Sequence, residues 1–74
     1  MIKNNLKLYR HKLMMNKKEF AEYVDMNYTM YARWENQIGQ PSVENLIKIR
    51  DKLRENENFS NLLLDDLVEL VEEI

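Results

Sequence analysis

Residues 16–36 read Asn16-Lys-Lys-Glu-Phe-Ala-Glu-Tyr-Val-Asp-Met-Asn-Tyr-Thr-Met-Tyr-Ala-Arg-Trp-Glu-Asn36. Asn16 is a favourable helix N-cap with Glu19 three residues later, and Asn27 is a second favourable N-cap. Two helix starts eleven residues apart leave room for little more than a sharp corner. The segment therefore predicts two short helices joined by a tight turn, the helix-turn-helix arrangement.

Length and composition favour an all-α domain. The chain has 74 residues, so a single core must supply nearly all of the stability, and it has no cysteine for disulfides or thiolate metal sites. Apolar residues make up 45%, with only one Gly and one Pro, so we expect a compact five-helix domain that needs no metal or cofactor. No apolar run approaches the roughly 18 residues of a membrane span, and the first residues lack a secretory signal. We therefore expect a cytoplasmic protein.

Charge is distributed unevenly along the chain. The net charge is −2, with 11 basic against 13 acidic residues. The first 54 residues hold all 11 basic residues and six of the acids, which gives +5, whereas the last 20 hold seven acids and no base. A phosphate-facing core with an acidic appendage would show this asymmetry, although a solvated helix face gives the same count.

Apolar periodicity and cap residues predict five helices. The first four cover about residues 3–13, 17–24, 28–36 and 43–54. The only Gly and the only Pro lie in the loop between the third and fourth helices. Residues 1–58 would form the helix-turn-helix core, and residues 59–74 an acidic amphipathic helix that belongs to the same domain or to a dimer contact.

Several different short motifs stand at fixed distances from one another within residues 5–64. The second helix opens Asn16-Lys-Lys-Glu-Phe-Ala, the third ends Tyr31-Ala-Arg-Trp-Glu, and a Pro41-Ser42 loop leads into the fourth. In this order and spacing they resemble the helix-turn-helix domain of lambda-repressor and Cro-like regulators, the xenobiotic-response-element family. The resemblance covers about four fifths of the chain. It implies a lambda-repressor-like fold whose third helix reads the major groove of double-stranded DNA.

Three positions depart from that family's pattern. The family usually has Gly in the turn between helices two and three and again after helix three, whereas this chain has Asp25 and Gln37. A left-handed backbone costs an Asp less than most residues, so we expect the turn to persist. Lys17 replaces a common Gln that often contacts phosphate, and a lysine would do this as a point charge.

The outer face of the third helix supplies the candidate base contacts. These are Tyr28, Thr29, Ala32 and Arg33. Arg33 can pair with guanine through its two-pronged guanidinium; the spacing alone favours a solvated surface arginine, and the resemblance is what favours base contact. The candidate phosphate contacts flank the turn and the helix ends, and they are Lys17, Lys18, Asn27, Asn36 and Gln40.

Other polar residues receive a structural interpretation. The resemblance implies that Arg10 forms a partly buried salt bridge with Glu35 instead of touching DNA. His11 is the only histidine, has no ligand-like neighbours in sequence, and is expected to be exposed. The chain shows no Gly-rich phosphate loop and no nucleophile–base pair, so we do not expect an enzyme.

The last segment leaves two interpretations open. Its apolar face, Leu63, Leu67, Leu70 and Ile74, could form the dimer contact of a phage-type or mobile-element repressor on a palindromic operator. The same face could simply close the core of the monomer. The alternative function is a protein-interaction module, such as an antitoxin or adaptor, whose acidic last helix binds a basic partner.

Overall fold

A computed structural model describes residues 2–71, which form five α-helices, one 3₁₀ helix and a two-stranded sheet. The α-helices are α1 (Leu6–Lys12), α2 (Lys17–Tyr23), α3 (Tyr28–Glu35), α4 (Val43–Leu53) and α5 (Leu64–Leu67). The 3₁₀ helix is Glu57–Phe59, and the strands are β1 (Ile2–Asn4) and β2 (Val68–Leu70). The predicted all-α class is confirmed, with the small sheet as an addition. Within residues 2–71 no helix is both long enough and apolar enough to cross a bilayer.

Side-chain caps fix the starts of α2, α3 and α4. Asn16 and Glu19 form a capping box, in which the Asn16 Oδ1 accepts the Glu19 N–H at 2.8 Å and the Glu19 Oε1 accepts the Asn16 N–H at 2.9 Å. Asn27 caps α3 through the Met30 N–H at 3.1 Å. Ser42 caps α4 in the same way. These starts depend on local contacts, which is why the sequence predicts them.

Schellman motifs end α1, α2 and α3, and each uses a left-handed residue that is not glycine. The residues are Met14, Asp25 and Gln37, with φ of 58°, 59° and 61°. At the end of α2 the Asp25 N–H donates to the Glu22 carbonyl oxygen, and the Met26 N–H donates to the Ala21 carbonyl oxygen. The turn therefore keeps the left-handed geometry expected at Asp25. A left-handed conformation costs a residue with a Cβ about 1–2 kcal/mol.

The core joins the helix-turn-helix to both ends of the chain. Its fully buried side chains are Leu6, Phe20, Val24, Tyr31, Ile49, Leu53 and Leu67. The rings of Phe20 and Tyr31 lie 5.3 Å apart between centroids and hold α2 against α3. Because Tyr31 and Trp34 both point into this core, the opposite face of α3 is turned toward solvent.

The C-terminal segment does not form the continuous fifth helix that its periodicity predicts. Within residues 59–71 only Leu64–Leu67 is α-helical, and Val68–Leu70 is a strand that pairs antiparallel with β1, with Asn4 opposite Val68. This pairing satisfies backbone groups at both ends of the chain, and β-branched Val68 suits a strand better than a helix. For the same reason α1 begins at Leu6, three residues later than predicted, because the preceding residues form β1.

The predicted dimer face is consequently divided. Leu67 is 0% exposed and belongs to the core, so its assignment as a dimer contact is wrong. Leu63 and Leu70 are exposed, at 56% and 77%. Ile74 lies outside the described residues. The segment thus closes the core with one side and presents apolar side chains to solvent with another.

The left-handed residue that closes α1 offers a test of these helix ends. Met14 is 92% exposed, so its side chain contributes almost no packing. Met14→Gly should raise the free energy of unfolding by about 1 kcal/mol, because glycine adopts positive φ without the steric cost. Met14→Ala is the matched control, since it removes the same side chain but keeps the Cβ. Urea unfolding that finds the two variants equally stable would contradict the assigned geometry.

Candidate nucleic-acid interface

The solvent face of α3 carries the predicted base-contact residues. Tyr28, Thr29 and Arg33 are exposed, and Ala32 is half-buried. A shallow cleft of about 330 Å³ runs beside them, and Arg33 is among the residues that line it. Among the described residues the Arg33 guanidinium lies within 4 Å of no carboxylate. The five N–H donors of a guanidinium suit the paired acceptors on a guanine edge.

The predicted phosphate contacts lie at the helix ends on either side of this face. Lys18, Asn27 and Asn36 are exposed and Lys17 is half-buried. Arg10 binds both Glu35 and the Met15 carbonyl oxygen, which places the start of α2 near the end of α3. The first residues of α2 and of α3 present backbone N–H groups that favour an anion.

Gln40 differs from the other predicted phosphate contacts because its side-chain amide is engaged within the protein. Its Oε1 accepts a hydrogen bond from Asn4 Nδ2 at 2.9 Å, and its Nε2 donates to Gln37 Oε1 at 2.9 Å. A phosphate contact by this amide would therefore compete with bonds that hold the loop after α3. Its role at DNA stays a prediction.

Arg10 and Glu35 form a buried, two-pronged ion pair behind the solvent face of α3. Arg10 Nε lies 3.0 Å from Glu35 Oε2, and Arg10 Nη2 lies 2.6 Å from Glu35 Oε1. Arg10 Nη1 also donates to the Met15 carbonyl oxygen at 3.1 Å. The Glu35 side chain is only 2% exposed. The pair ties α1, the turn before α2 and the last residue of α3 together.

The ion pair sets the protonation of its members. Burial opposes the charged form of Glu35, but the hydrogen bonds from Arg10 and the positive charges of Arg10 and Lys17 outweigh it and lower the pKa of Glu35. The hydrogen bond to Glu35 raises the pKa of Arg10. Burial beside this pair raises the pKa of Tyr31, whose hydroxyl makes no hydrogen bond of good geometry within the described residues. At neutral pH the pair is fully ionised.

A polar network around Asn4 links the sheet to the end of α3, and sequence reasoning missed it. Asn4 is 3% exposed, and its Nδ2 donates to the Trp34 carbonyl oxygen at 2.6 Å. The Asn4 backbone N–H donates to Gln37 Oε1, and the Asn4 carbonyl oxygen accepts from Gln37 Nε2, both at 3.1 Å. The Gln37 amide thus pairs with β1 as a neighbouring strand would. The sequence feature that could have revealed the network is Gln37, which has a long amide side chain where similar helix-turn-helix domains usually have glycine.

Comparison with known families agrees with this geometry. A helix-turn-helix family profile matches residues 6–59, which run from the first residue of α1 to the end of the 3₁₀ helix. The chain belongs to the Cro/C1-type helix-turn-helix family, the lambda-repressor and Cro-like group of DNA-binding regulators. No curated protein and no solved structure gave a significant match.

Breaking the ion pair from one side should destabilise the fold. Arg10→Ala is expected to lower the free energy of unfolding by roughly 3–5 kcal/mol, because it strands the Glu35 carboxylate in the core. The double variant Arg10→Met, Glu35→Leu should recover most of that loss, since it leaves no lone charge. Denaturant unfolding of the three proteins tests this. An Arg10→Ala protein that unfolds like the wild type but binds DNA more weakly would instead make Arg10 a DNA contact.

The lowered pKa of Glu35 predicts a dependence of stability on acid pH. The carboxylate contributes stability above its ordinary pKa of 4.5, and the contribution disappears as the pH falls through the lower pKa of the folded state. The free energy of unfolding should therefore decline below about pH 5, and Glu35→Gln should flatten the decline. Glu44→Gln is the control, because that exposed side chain pairs with Lys48 only at 3.9 Å. Equal slopes for wild type and Glu35→Gln would refute the assignment.

Proposed function

We propose that this protein is a sequence-specific, double-stranded DNA-binding repressor of the phage or mobile-element type, which reads the major groove with α3. The supporting observation is the two-sided character of α3. Tyr31 and Trp34 anchor one side in the core, while Tyr28, Thr29 and Arg33 are exposed on the other. A helix held in this way presents a fixed set of side chains to a groove. Such a regulator would act in the cytoplasm, where its operator lies.

Each exposed side chain of α3 suits a particular feature of a base pair. The Arg33 guanidinium can donate two hydrogen bonds to the O6 and N7 atoms of one guanine. Thr29 offers a hydroxyl and a methyl group, and Ala32 can contact a thymine methyl. Tyr28 lies in the first turn, which enters the groove most deeply. Lys17 and Lys18, with Asn27 and Asn36, would hold the phosphates on either side and so set the register of the helix.

Two copies would act together on a palindromic operator. One small domain covers little DNA, and paired half-sites about 34–36 Å apart supply the remaining affinity and specificity. Leu63 and Leu70 remain candidates for the contact between copies because they are apolar and exposed. Leu67 is excluded from that contact by its burial.

Selection of binding sites from random duplex DNA tests this function. The wild type should enrich a two-fold symmetric site, and Arg33→Ala should lose about 1–3 kcal/mol of binding free energy at one guanine of each half-site. Arg50→Ala removes the same charge from α4, where Arg50 pairs with Asp51 at 3.0 Å, and should not change the preferred sequence. If no site is enriched and binding is weak and sequence-blind, the protein-interaction alternative would replace the repressor.

A further inference from the structure

A second basic surface lies beside the Arg10–Glu35 ion pair. An open cleft of about 440 Å³ separates β1 and α1 from the end of α3. Lys3, Lys7 and His11 line it, together with Glu35 and Gln37. We call this surface the basic cleft.

The basic cleft carries an excess of positive charge. Among the described residues that line it, Glu35 is the only acid, and that carboxylate is already neutralised by Arg10. Within residues 2–71 the lysines that pair with a carboxylate within 4 Å are Lys48 and Lys52, both on α4. Glu69 stands opposite Lys3 in the sheet, so Lys3 contributes less net charge than Lys7. Lys7 is therefore the lysine of the cleft whose positive charge is offset least.

The basic cleft lies near the start of α2. Arg10 binds Glu35, which lines the cleft, and also donates to the carbonyl oxygen of Met15, two residues before Lys17 opens α2. The cations of α1 and of α2 thus border one end of α3 from two directions. A duplex seated on α3 and on the start of α2 would bring its sugar–phosphate backbone close to that end of the helix.

We propose that the basic cleft binds the phosphate backbone of the same duplex, so that α1 and β1 extend the row of phosphate contacts beyond the helix-turn-helix. This proposal rests on the proposed function. Its ligand is a phosphodiester backbone of any sequence, so the cleft adds affinity and salt dependence and leaves base preference unchanged.

The chain provides a matched control on α1 itself. Lys12 lies on the same helix, but its Nζ sits 5.5 Å from the centre of the Tyr9 ring and it lines a different cleft, together with Phe59. Lys7→Gln and Lys12→Gln therefore remove the same charge from two sides of one helix. Both side chains are exposed, so both variants should fold, which a thermal melt verifies.

Titration of the selected duplex and of an unrelated duplex at several salt concentrations tests the proposal. Lys7→Gln should weaken binding to both duplexes roughly three- to tenfold and reduce the slope of log K against log salt by about 1, whereas Lys12→Gln should change neither. Lys3→Gln added to Lys7→Gln should reduce the slope further.

The outcomes separate this proposal from the one on which it rests. If the wild type and Lys12→Gln bind the selected site and Lys7→Gln binds it with the same affinity and salt slope, the basic cleft is not a phosphate site and the repressor function stands. Failure of the wild type to bind any duplex would overturn both. A loss confined to the selected site would also overturn the proposal, because a backbone contact must act on every sequence.

Discussion

The buried ion pair between Arg10 and Glu35 fixes how α1 packs against α3. Its two hydrogen bonds, at 3.0 and 2.6 Å, allow one relative orientation of these two helices. The hydrogen bond from Arg10 to the Met15 carbonyl oxygen ties the turn before α2 to the same pair. Stranding either charge in the core is costly, so competing arrangements of these helices are disfavoured. The burial of Tyr31 and Trp34 turns the opposite face of α3 outward, and the ion pair holds the end of that helix beside the basic cleft, since Glu35 ends the helix and lines the cleft.

Local interactions account for the part of the fold that the sequence predicts. Asn16 and Asn27 cap helices through backbone groups three residues away, so the pattern of residues alone places α2 and α3. The two-stranded sheet depends on contact between opposite ends of the chain, and no local pattern encodes it. Leu67 and Leu70 share a helical period with Leu63, yet Leu67 ends α5 inside the core, whereas Leu70 lies in the following strand, paired with Ile2, and is exposed.

The candidate site likewise has one part that the sequence predicts and another that it does not. Helical periodicity predicts the exposed face of α3, because Tyr31 and Trp34 mark its buried side. The bonds of Gln40 could not be predicted, because they depend on Asn4 of β1 and on the left-handed backbone at Gln37. Gln37 occupies a position where the family usually has glycine, and its amide joins β1 to the end of α3. The residue that accepts backbone strain therefore also links the sheet to α3.

Methylation interference on the selected duplex tests most directly whether α3 reads the major groove. Dimethyl sulfate modifies guanine N7 in the major groove and adenine N3 in the minor groove, so one experiment compares both grooves. If α3 reads the major groove, N7 methylation of a guanine in each half-site should block binding, while adenine N3 methylation should have little effect. Interference from adenine N3 alone, or from neither position, would contradict recognition by the exposed face of α3.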